Sequence, residues 1–385
     1  MDLRPAYPRL QDGIYLKQLE RPCVYDTRTD ELYELSPEAM VFLSHCDGAH
    51  TISNLQPEEH FLAYCLEEGI LELLSRAEPT VVRVGINELP SLRYLMVEVT
   101  ERCNLRCRHC YLGEAGEKDM DPDLLLRLLD DLDDIGGLRL MITGGEPVLY
   151  PHFQRLNRAL AGRTFRPVLI TNGTLIDGSL LSTLNFREIQ FSLDGLEEGH
   201  DFLRGKGSFR RTLEAVRETL VSGKEVSVAT VLHRKNMHEL EKLGRFLRDM
   251  GVHSWTLEYP VAMGRMAANQ GLMPKIEEAA PFFSLEWGSG PHAGESGYAC
   301  GAHLAAVDVS GRLMKCGYYR QLSGGSVNGG LRSAWRALPK MRLEGVCASC
   351  TEREGCGGGC RFRAELMDGP GGRDLLMCAR LGMLS

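Results

Sequence analysis

The sequence predicts an α/β protein: a parallel sheet of repeated strand–helix units, with a small mixed unit before it and a cysteine-rich unit after it. Three observations carry this. Between residues 90 and 290, apolar strand-like runs alternate with amphipathic helical patterns, the mark of β-α units and a parallel sheet. Residues 1–80 instead place three short strands ahead of three helices. Of 13 cysteines, three crowd into 103–110 and seven into 300–378.

A chain of 385 residues, 43% hydrophobic and 25% charged, has ordinary globular composition and room for two or three cores. The net charge of −8 argues against a nucleic-acid partner, because binding phosphate needs an excess of Lys and Arg. No apolar run reaches about 18 residues, so no transmembrane helix and no membrane partner are expected. Met1-Asp2-Leu3-Arg4-Pro5 lacks the apolar region of a signal peptide, and the expected location is the cytoplasm. In that reducing setting clustered cysteines read as metal ligands, not disulfides. Cys23, Cys46 and Cys65 stand apart in apolar surroundings and read as buried small hydrophobes.

In the first unit, strands are expected at 13–17, 23–26 and 32–35, with Thr27-Arg28-Thr29-Asp30 as the polar turn between the last two. Ser36-Pro37 starts a helix, Ser as N-cap and Pro at the first helical position. That helix stops at Asp47-Gly48. A short helix at 51–55, a third at 58–68 ended by Gly69, and a closing strand at 70–74 follow.

The middle unit is expected to hold strands at 94–99, 139–143, 167–171, 188–193, 225–231 and 254–259, with helices at 122–135, 152–161, 207–222 and 237–250. In parallel barrels the C-terminal strand ends form the reaction end. Here they carry Thr143-Gly144-Gly145-Glu146-Pro147, whose glycines let a ligand approach the backbone. They also carry Ile170-Thr171-Asn172-Gly173-Thr174, a tight turn by its Asn-Gly pair, and Gln190-Phe191-Ser192-Leu193-Asp194-Gly195. Arg204 follows, a guanidinium able to hold a cofactor carboxylate through paired bonds, or alternatively to pair on the surface with Glu197, Glu198 and Asp201.

Directly after the first of these strands stands Cys103-x3-Cys107-x2-Cys110. Three thiolates hold three corners of a four-iron cluster and leave one iron open to a chelating ligand; structural zinc is the alternative. The spacing, with His109 at the aromatic-type position before the last Cys, resembles the radical S-adenosylmethionine (SAM) superfamily. The resemblance implies a partial (β/α)6 TIM barrel over 90–290. It implies a [4Fe-4S] cluster on Cys103, Cys107 and Cys110, with SAM on the open iron. Cleavage of SAM then gives a 5′-deoxyadenosyl radical that takes hydrogen from a substrate C–H. It further implies that Glu146 serves the SAM ammonium beside Gly144 and Gly145, which let the cofactor approach, that Thr171 and Asn172 line its ribose side, and that Ser192 and Asp194 supply its hydrogen bonds. Tyr111 would pack near the adenine. Tyr259-Pro260-Val261-Ala262-Met263-Gly264-Arg265 resembles the family's Pro-x-x-x-Gly-Arg exit loop.

The last unit, 291–385, reads Cys300-x15-Cys316, Cys347-x2-Cys350-x5-Cys356-x3-Cys360, then Cys378, with Gly311 five residues before Cys316. This closely resembles the SPASM domain, a seven-cysteine auxiliary-cluster module of peptide-modifying radical SAM enzymes. By that resemblance Cys347, Cys350, Cys356 and Cys378 hold one [4Fe-4S] cluster, and Cys300, Cys316 and Cys360 another nearer the active site. Three [4Fe-4S] clusters are thus implied. Eight-cysteine relatives have a further Cys where Gly294 stands; water, a substrate thiolate, His292, Glu295 or His303 are the candidates for the remaining iron.

Residues 1–80 resemble the peptide chaperone of pyrroloquinoline-quinone biosynthesis and so the RiPP recognition element, a winged-helix module that binds leader peptides. The likeness rests on Val24-Tyr25-Asp26, Leu32-Tyr33-Glu34-Leu35, Ala39, Phe42-Leu43, Asp47-Gly48, Thr51-Ile52 and Glu68-Gly69-Ile70-Leu71. It implies that a precursor peptide's leader adds as a strand at the edge 31–35 and packs on the helix 58–68. A DNA-binding winged helix needs a basic helix, whereas 57–68 holds four Glu and no Lys or Arg.

The expected function is a radical SAM enzyme that modifies a ribosomally made precursor peptide, forming a thioether or other cross-link, with electrons from a flavodoxin- or ferredoxin-type donor. The alternatives are a radical SAM decarboxylase of a tetrapyrrole, a sulfatase-maturase-like enzyme, and a zinc-rich peptide-binding adaptor. Sulfatase maturases place an Asp after the cysteine matching Cys316, where this chain has Gly317.

Overall fold

The computed structural model describes residues 6–384 apart from 289, 291, 293–297 and 300. The chain opens with β1 (Tyr7–Leu10), β2 (Ile14–Gln18), β3 (Pro22–Asp26) and β4 (Glu31–Glu34). Helices α1 (Pro37–Ser44), α2 (Ile52–Leu55) and α3 (Glu59–Glu67) follow, then β5 (Leu71–Leu74) and β6 (Val84–Ile86). Ser36 Oγ accepts the Ala39 N–H and Pro37 occupies the first turn, so the Ser-Pro pair starts α1 as read. Cys46 and Cys65 are fully buried with Leu43, Ile70 and Leu71 in one apolar cluster.

Two of these strands escape the sequence pattern. Pro8 and Arg9 interrupt the apolar run of β1, which forms because β5 pairs with it, Pro8 opposite Leu73. Residues 84–86 fall between the units expected at 1–80 and 90–290 but extend the first sheet as β6, parallel to β2. That sheet has the order β4-β3-β2-β6, so β4 has one neighbour and one free edge.

The central strands are β7 (Tyr94–Glu98), β8 (Arg139–Thr143), β9 (Arg166–Thr171), β10 (Glu188–Ser192), β11 (Glu225–Val231) and β12 (Ser254–Glu258). They lie parallel and in chain order. Intervening helices α4 (Pro122–Asp134), α5 (Phe153–Ala159), α6 (Gly178–Leu181), α7 (Glu197–Arg204), α8 (Ser208–Val221) and α9 (Leu240–Asp249) cover the sheet. α4 shows why: Asp121 caps the Leu124 N–H, Pro122 fills the first turn, and Leu124, Leu125, Leu128, Leu129 and Leu132 form one buried stripe. Each such leucine contributes about 1.5–3 kcal/mol by leaving water.

The C-terminal unit does not stand apart at residue 291. β13 (Leu304–Val307) pairs parallel with β7, Leu304 opposite Tyr94, and β14 (Arg312–Met314) and β15 (Ser323–Ser326) continue the same nine-stranded sheet. The β13–β14 turn uses Gly311 at φ +79° and leads β14 directly into Cys316.

The N-terminal unit docks at the N-terminal ends of the barrel strands. Lys17 Nζ donates to Gly137 O at 3.2 Å and to Thr164 Oγ1 at 3.0 Å. Arg166 Nη1 donates to Thr27 O at 2.9 Å. Asp30 pairs with Arg139, and Glu20 with Arg93 at 2.5 Å. Among the described residues no helix is long and apolar enough to cross a membrane.

Candidate functional site

The opposite, C-terminal ends of the strands open into one cavity of about 830 Å³, inside the range of about 300–1,000 Å³ for small-molecule and cofactor sites. Cys103, Cys107 and Cys110 line it from the loop after β7, and Cys316 and Cys360 from the C-terminal unit. Gly144, Gly145, Thr171, Asn172, Ser192, Arg204 and Tyr111 line it as well. Cys347, Cys350, Cys356 and Cys378 do not. Cys300, Gly294 and Glu295 lie outside the described residues.

The cysteine loop is held by backbone. Gly145 N–H donates to Thr100 O at 2.8 Å and Glu146 N–H to Arg102 O at 2.7 Å. A Cβ on Gly144 would sit 2.4 Å from Thr100 O, and one on Gly145 2.3 Å from Arg102 O. The close approach that the glycines permit is therefore to the cysteine loop itself. On the far side Arg265 N–H donates to Cys110 O at 2.9 Å, and Gly264, at φ +49°, lies against Cys110 and Tyr111 carbonyls.

Two expected cofactor contacts point elsewhere. Glu146 is fully buried and outside the cavity lining. Its Oε1 accepts from Thr171 Oγ1 at 2.7 Å and its Oε2 from Asn172 N–H at 2.9 Å. It joins the β8 end to the β9 end, and a SAM ammonium would have to compete with both. Burial raises its carboxyl pKa, and those two hydrogen bonds oppose the rise. Asp194 is likewise fully buried: Oδ2 accepts from Arg204 Nε at 2.5 Å and Oδ1 from Val231 N–H at 2.7 Å. Burial alone would raise its pKa; the Arg204 guanidinium and the Val231 N–H hold it well below the carboxylate range.

Arg204 therefore makes neither a surface pair with Glu197, Glu198 and Asp201 nor an isolated carboxylate clamp. Its Nη1 points to Cys107 Sγ at 3.9 Å, and its Nη2 to His109 Nε2 at 3.3 Å. Burial lowers the His109 pKa to about 3, so the imidazole is neutral. Accepting from Arg204 at Nε2 puts the ring proton on Nδ1, and that buried atom has no hydrogen-bond partner among the described residues. His109 was legible only as the residue before Cys110; its pairing with Arg204 joins residues 95 apart.

The donor set fits an iron–sulfur cluster better than single ions. One tetrahedral ion with sulfur ligands at about 2.3 Å needs sulfurs about 3.8 Å apart. Among the described residues the one trio of metal-type donors within 4.8 Å is Glu198, His238 and Glu239, and Glu239 already caps Leu196 N–H at 2.9 Å. The cysteine sets are wider, as a multi-iron cluster requires. Burial pushes the Cys107 thiol up to about 11, so a bound cation is what would make it a thiolate. Cys316 faces Cys360, and Cys378 faces Cys356 and Cys347, closely enough for each thiolate to disfavour the next. The glycine-backed loop, the thiols and the partnerless His109 Nδ1 at a cofactor-sized cavity fit SAM beside such a cluster.

Of the candidates for the open iron, His292 has both ring nitrogens engaged within the chain and His303 one. His292 meets Tyr94 Oη through Nδ1 at 2.7 Å and Asp30 O through Nε2 at 2.7 Å. His303 Nδ1 lies 2.8 Å from Ser91 O.

Comparison with known proteins agrees with this geometry. Residues 97–247 match the Radical SAM superfamily. The chain is similar to the antilisterial bacteriocin subtilosin biosynthesis protein AlbA of Bacillus subtilis, 28% identical over 260 residues, 61% of this chain and 58% of AlbA. The chain thus spans little more than half of that relative's length. It is also similar to the AdoMet-dependent heme synthase of Nitratidesulfovibrio vulgaris, 25% identical over 338 residues, covering 73% and 90% of the two chains. In fold it resembles Streptococcus suis SuiB bound to S-adenosylmethionine, with a TM-score of 0.70 and 17% identity over 96% of this chain and 99% of that one.

Proposed function

We propose that this enzyme, whose residues 97–247 form a radical SAM domain, modifies a ribosomally made precursor peptide by hydrogen abstraction and cross-linking, a thioether being the simplest product. The observation that carries the reading is the single cavity shared by Cys103, Cys107 and Cys110 with Cys316 and Cys360. When bound there, SAM and a reduced [4Fe-4S] cluster supply a 5′-deoxyadenosyl radical. Two further clusters, one on Cys300, Cys316 and Cys360 and one on Cys347, Cys350, Cys356 and Cys378, would accept the electron released as the new bond forms.

The chain's own residues orient and enclose this chemistry. Gly144, Gly145, Thr171, Asn172, Ser192 and Tyr111 form the cofactor wall, and Arg204 neutralises charge beside Cys107 and Asp194. Residues 1–80 act as a winged-helix recognition element: the free edge of β4, flanked by α3 through the Tyr33–Glu68 contact, suits an added peptide strand. The peptide reading draws support from SuiB, whose structure is also known bound to precursor peptide SuiA, and from AlbA. A low-potential flavodoxin or ferredoxin in the cytoplasm would supply the electrons.

A tetrapyrrole substrate is the second reading, prompted by the heme synthase similarity. Such a molecule brings several carboxylates and needs free cations. Arg204 and Arg320 on the cavity wall are neutralised by Asp194 and Glu98, Arg265, Lys315 and Arg361 meet backbone carbonyls, and Lys118 has no side-chain partner among the described residues. A carboxylated substrate would have to draw on these last four.

The test is anaerobic incubation of the reconstituted protein with SAM, dithionite and a candidate precursor peptide, sought as a short open reading frame beside its gene. Loss of two hydrogens from the peptide's mass per cross-link is expected. Abundant 5′-deoxyadenosine with an unchanged peptide would refute the substrate.

A further inference from the structure

Glu258 ends β12 at the reaction end of the sheet and faces the cavity. Tyr318 Oη donates to its Oε2 at 3.0 Å; among the described residues no hydrogen bond reaches Oε1. Three other acids on the cavity wall are matched by cations: Glu98 by Arg320, Asp308 by Arg312 and Glu114 by Arg106; Glu101, on the cysteine loop, has no ion pair among the described residues. Glu258 meets only a neutral hydroxyl.

Its place is between the two cysteine sets. Tyr318 lies edge-on to Tyr111, centroids 5.0 Å apart, and Tyr111 follows Cys110. On the other side Tyr318 stacks on Phe362 at 6.4 Å, two residues past Cys360. At Gly317, where sulfatase maturases carry an acid, a Cβ would lie 3.3 Å from Tyr111 Oη. The barrel offers a carboxylate from the facing wall instead.

We infer that Glu258 is the proton acceptor for the substrate in the bond-forming step, held on the cavity wall by Tyr318. The assignment rests on the function proposed above and balances as follows. The substrate C–H gives its hydrogen atom to the 5′-deoxyadenosyl radical, leaving a carbon radical and 5′-deoxyadenosine. The attacking group, an S–H, N–H or O–H of the same peptide, gives its proton to the Glu258 carboxylate as its heteroatom bonds to that carbon. The one electron left over passes to an oxidised iron–sulfur cluster. Glu258 is exposed to the cavity, and the chain packed around it strips part of its hydration and raises its pKa above the usual carboxylate range, toward the neutral value at which a base works best.

The experiment uses the reconstituted full chain with SAM, dithionite and the candidate precursor peptide sought beside the gene. It reads the ratio of cross-linked peptide to 5′-deoxyadenosine. In Glu258→Gln that ratio should fall at least 100-fold; a ratio within threefold of the parent overturns the assignment. Iron content reports folding. Should Glu258→Gln lose iron, Tyr318→Phe decides: it keeps the carboxylate but removes its hydrogen-bond donor, and a roughly tenfold fall is expected, while no change overturns the assignment. If the parent enzyme makes 5′-deoxyadenosine yet leaves the peptide unmodified, the peptide reading fails, and the assignment with it.

Discussion

The Glu146 carboxylate spends both its oxygens on the chain itself. Thr171 Oγ1 and Asn172 N–H are its partners across 25 and 26 residues of sequence. Glu146→Ala should therefore cost about 2–3 kcal/mol in urea denaturation, because it strands two buried donors; Glu146→Gln should cost less. A direct role in holding SAM would instead weaken SAM binding with stability intact. The motif was legible in sequence as a loop at a strand end, but the side chain's direction was not. Its target is a backbone group on the next strand, which no local pattern records. Asp194 is committed to the chain in the same way: it is fully buried, and its partner Arg204, at the end of the next helix, is the one that lines the cavity.

Among the elements, the six central strands were readable because each is a compact apolar run of about five residues bounded by turn or cap residues. β1, β6 and β13 were not, because each exists through a partner far away in sequence: β5, β2 and β7. The edge of β4 yields a direct test of peptide addition. Leu35 N–H bonds to Pro22 O on β3, so by alternation the Glu34 N–H points to the free edge. Glu34→Pro removes that outward donor with little loss of the sheet. It should weaken binding of a fluorescent leader peptide at least tenfold by anisotropy while leaving the melting temperature nearly unchanged. The joint between this sheet and the barrel has its own signature. Burial lowers the Lys17 pKa to about 7, against about 10.4 in an unfolded chain. Between those values the unfolded chain holds a proton the folded chain has released, so stability rises with pH in that window. From pH 7 to 9 the rise from Lys17 should be about 2 kcal/mol, and urea titrations of Lys17→Met should lack it.

At the scale of the molecule, the recognition edge and the reactive cavity lie toward opposite ends of the barrel strands. The N-terminal unit grips Gly137, Arg139 and Arg166, whereas the cavity reaches from Met141 and Ile170 out to the cysteine loop beyond Thr143. A five-residue strand spans about 17 Å, and an extended peptide covers about 3.4 Å per residue. A peptide held on β4 thus needs a spacer of at least about five residues before the residue it modifies. Deleting the spacer below that length should abolish cross-linking without reducing leader affinity, as mass spectrometry and anisotropy would show. Sequence gave the cysteine sets separately; that Cys316 and Cys360 share a cavity with Cys103, Cys107 and Cys110 followed only from β13 extending the barrel sheet. The most direct test of the account removes the first set alone. Anaerobically reconstituted protein should carry about twelve irons, as three four-iron clusters require, and form 5′-deoxyadenosine from SAM and dithionite. The Cys103→Ala/Cys107→Ala/Cys110→Ala variant should keep about eight irons and form none. Zinc in place of iron, or unchanged 5′-deoxyadenosine formation by the variant, would contradict it.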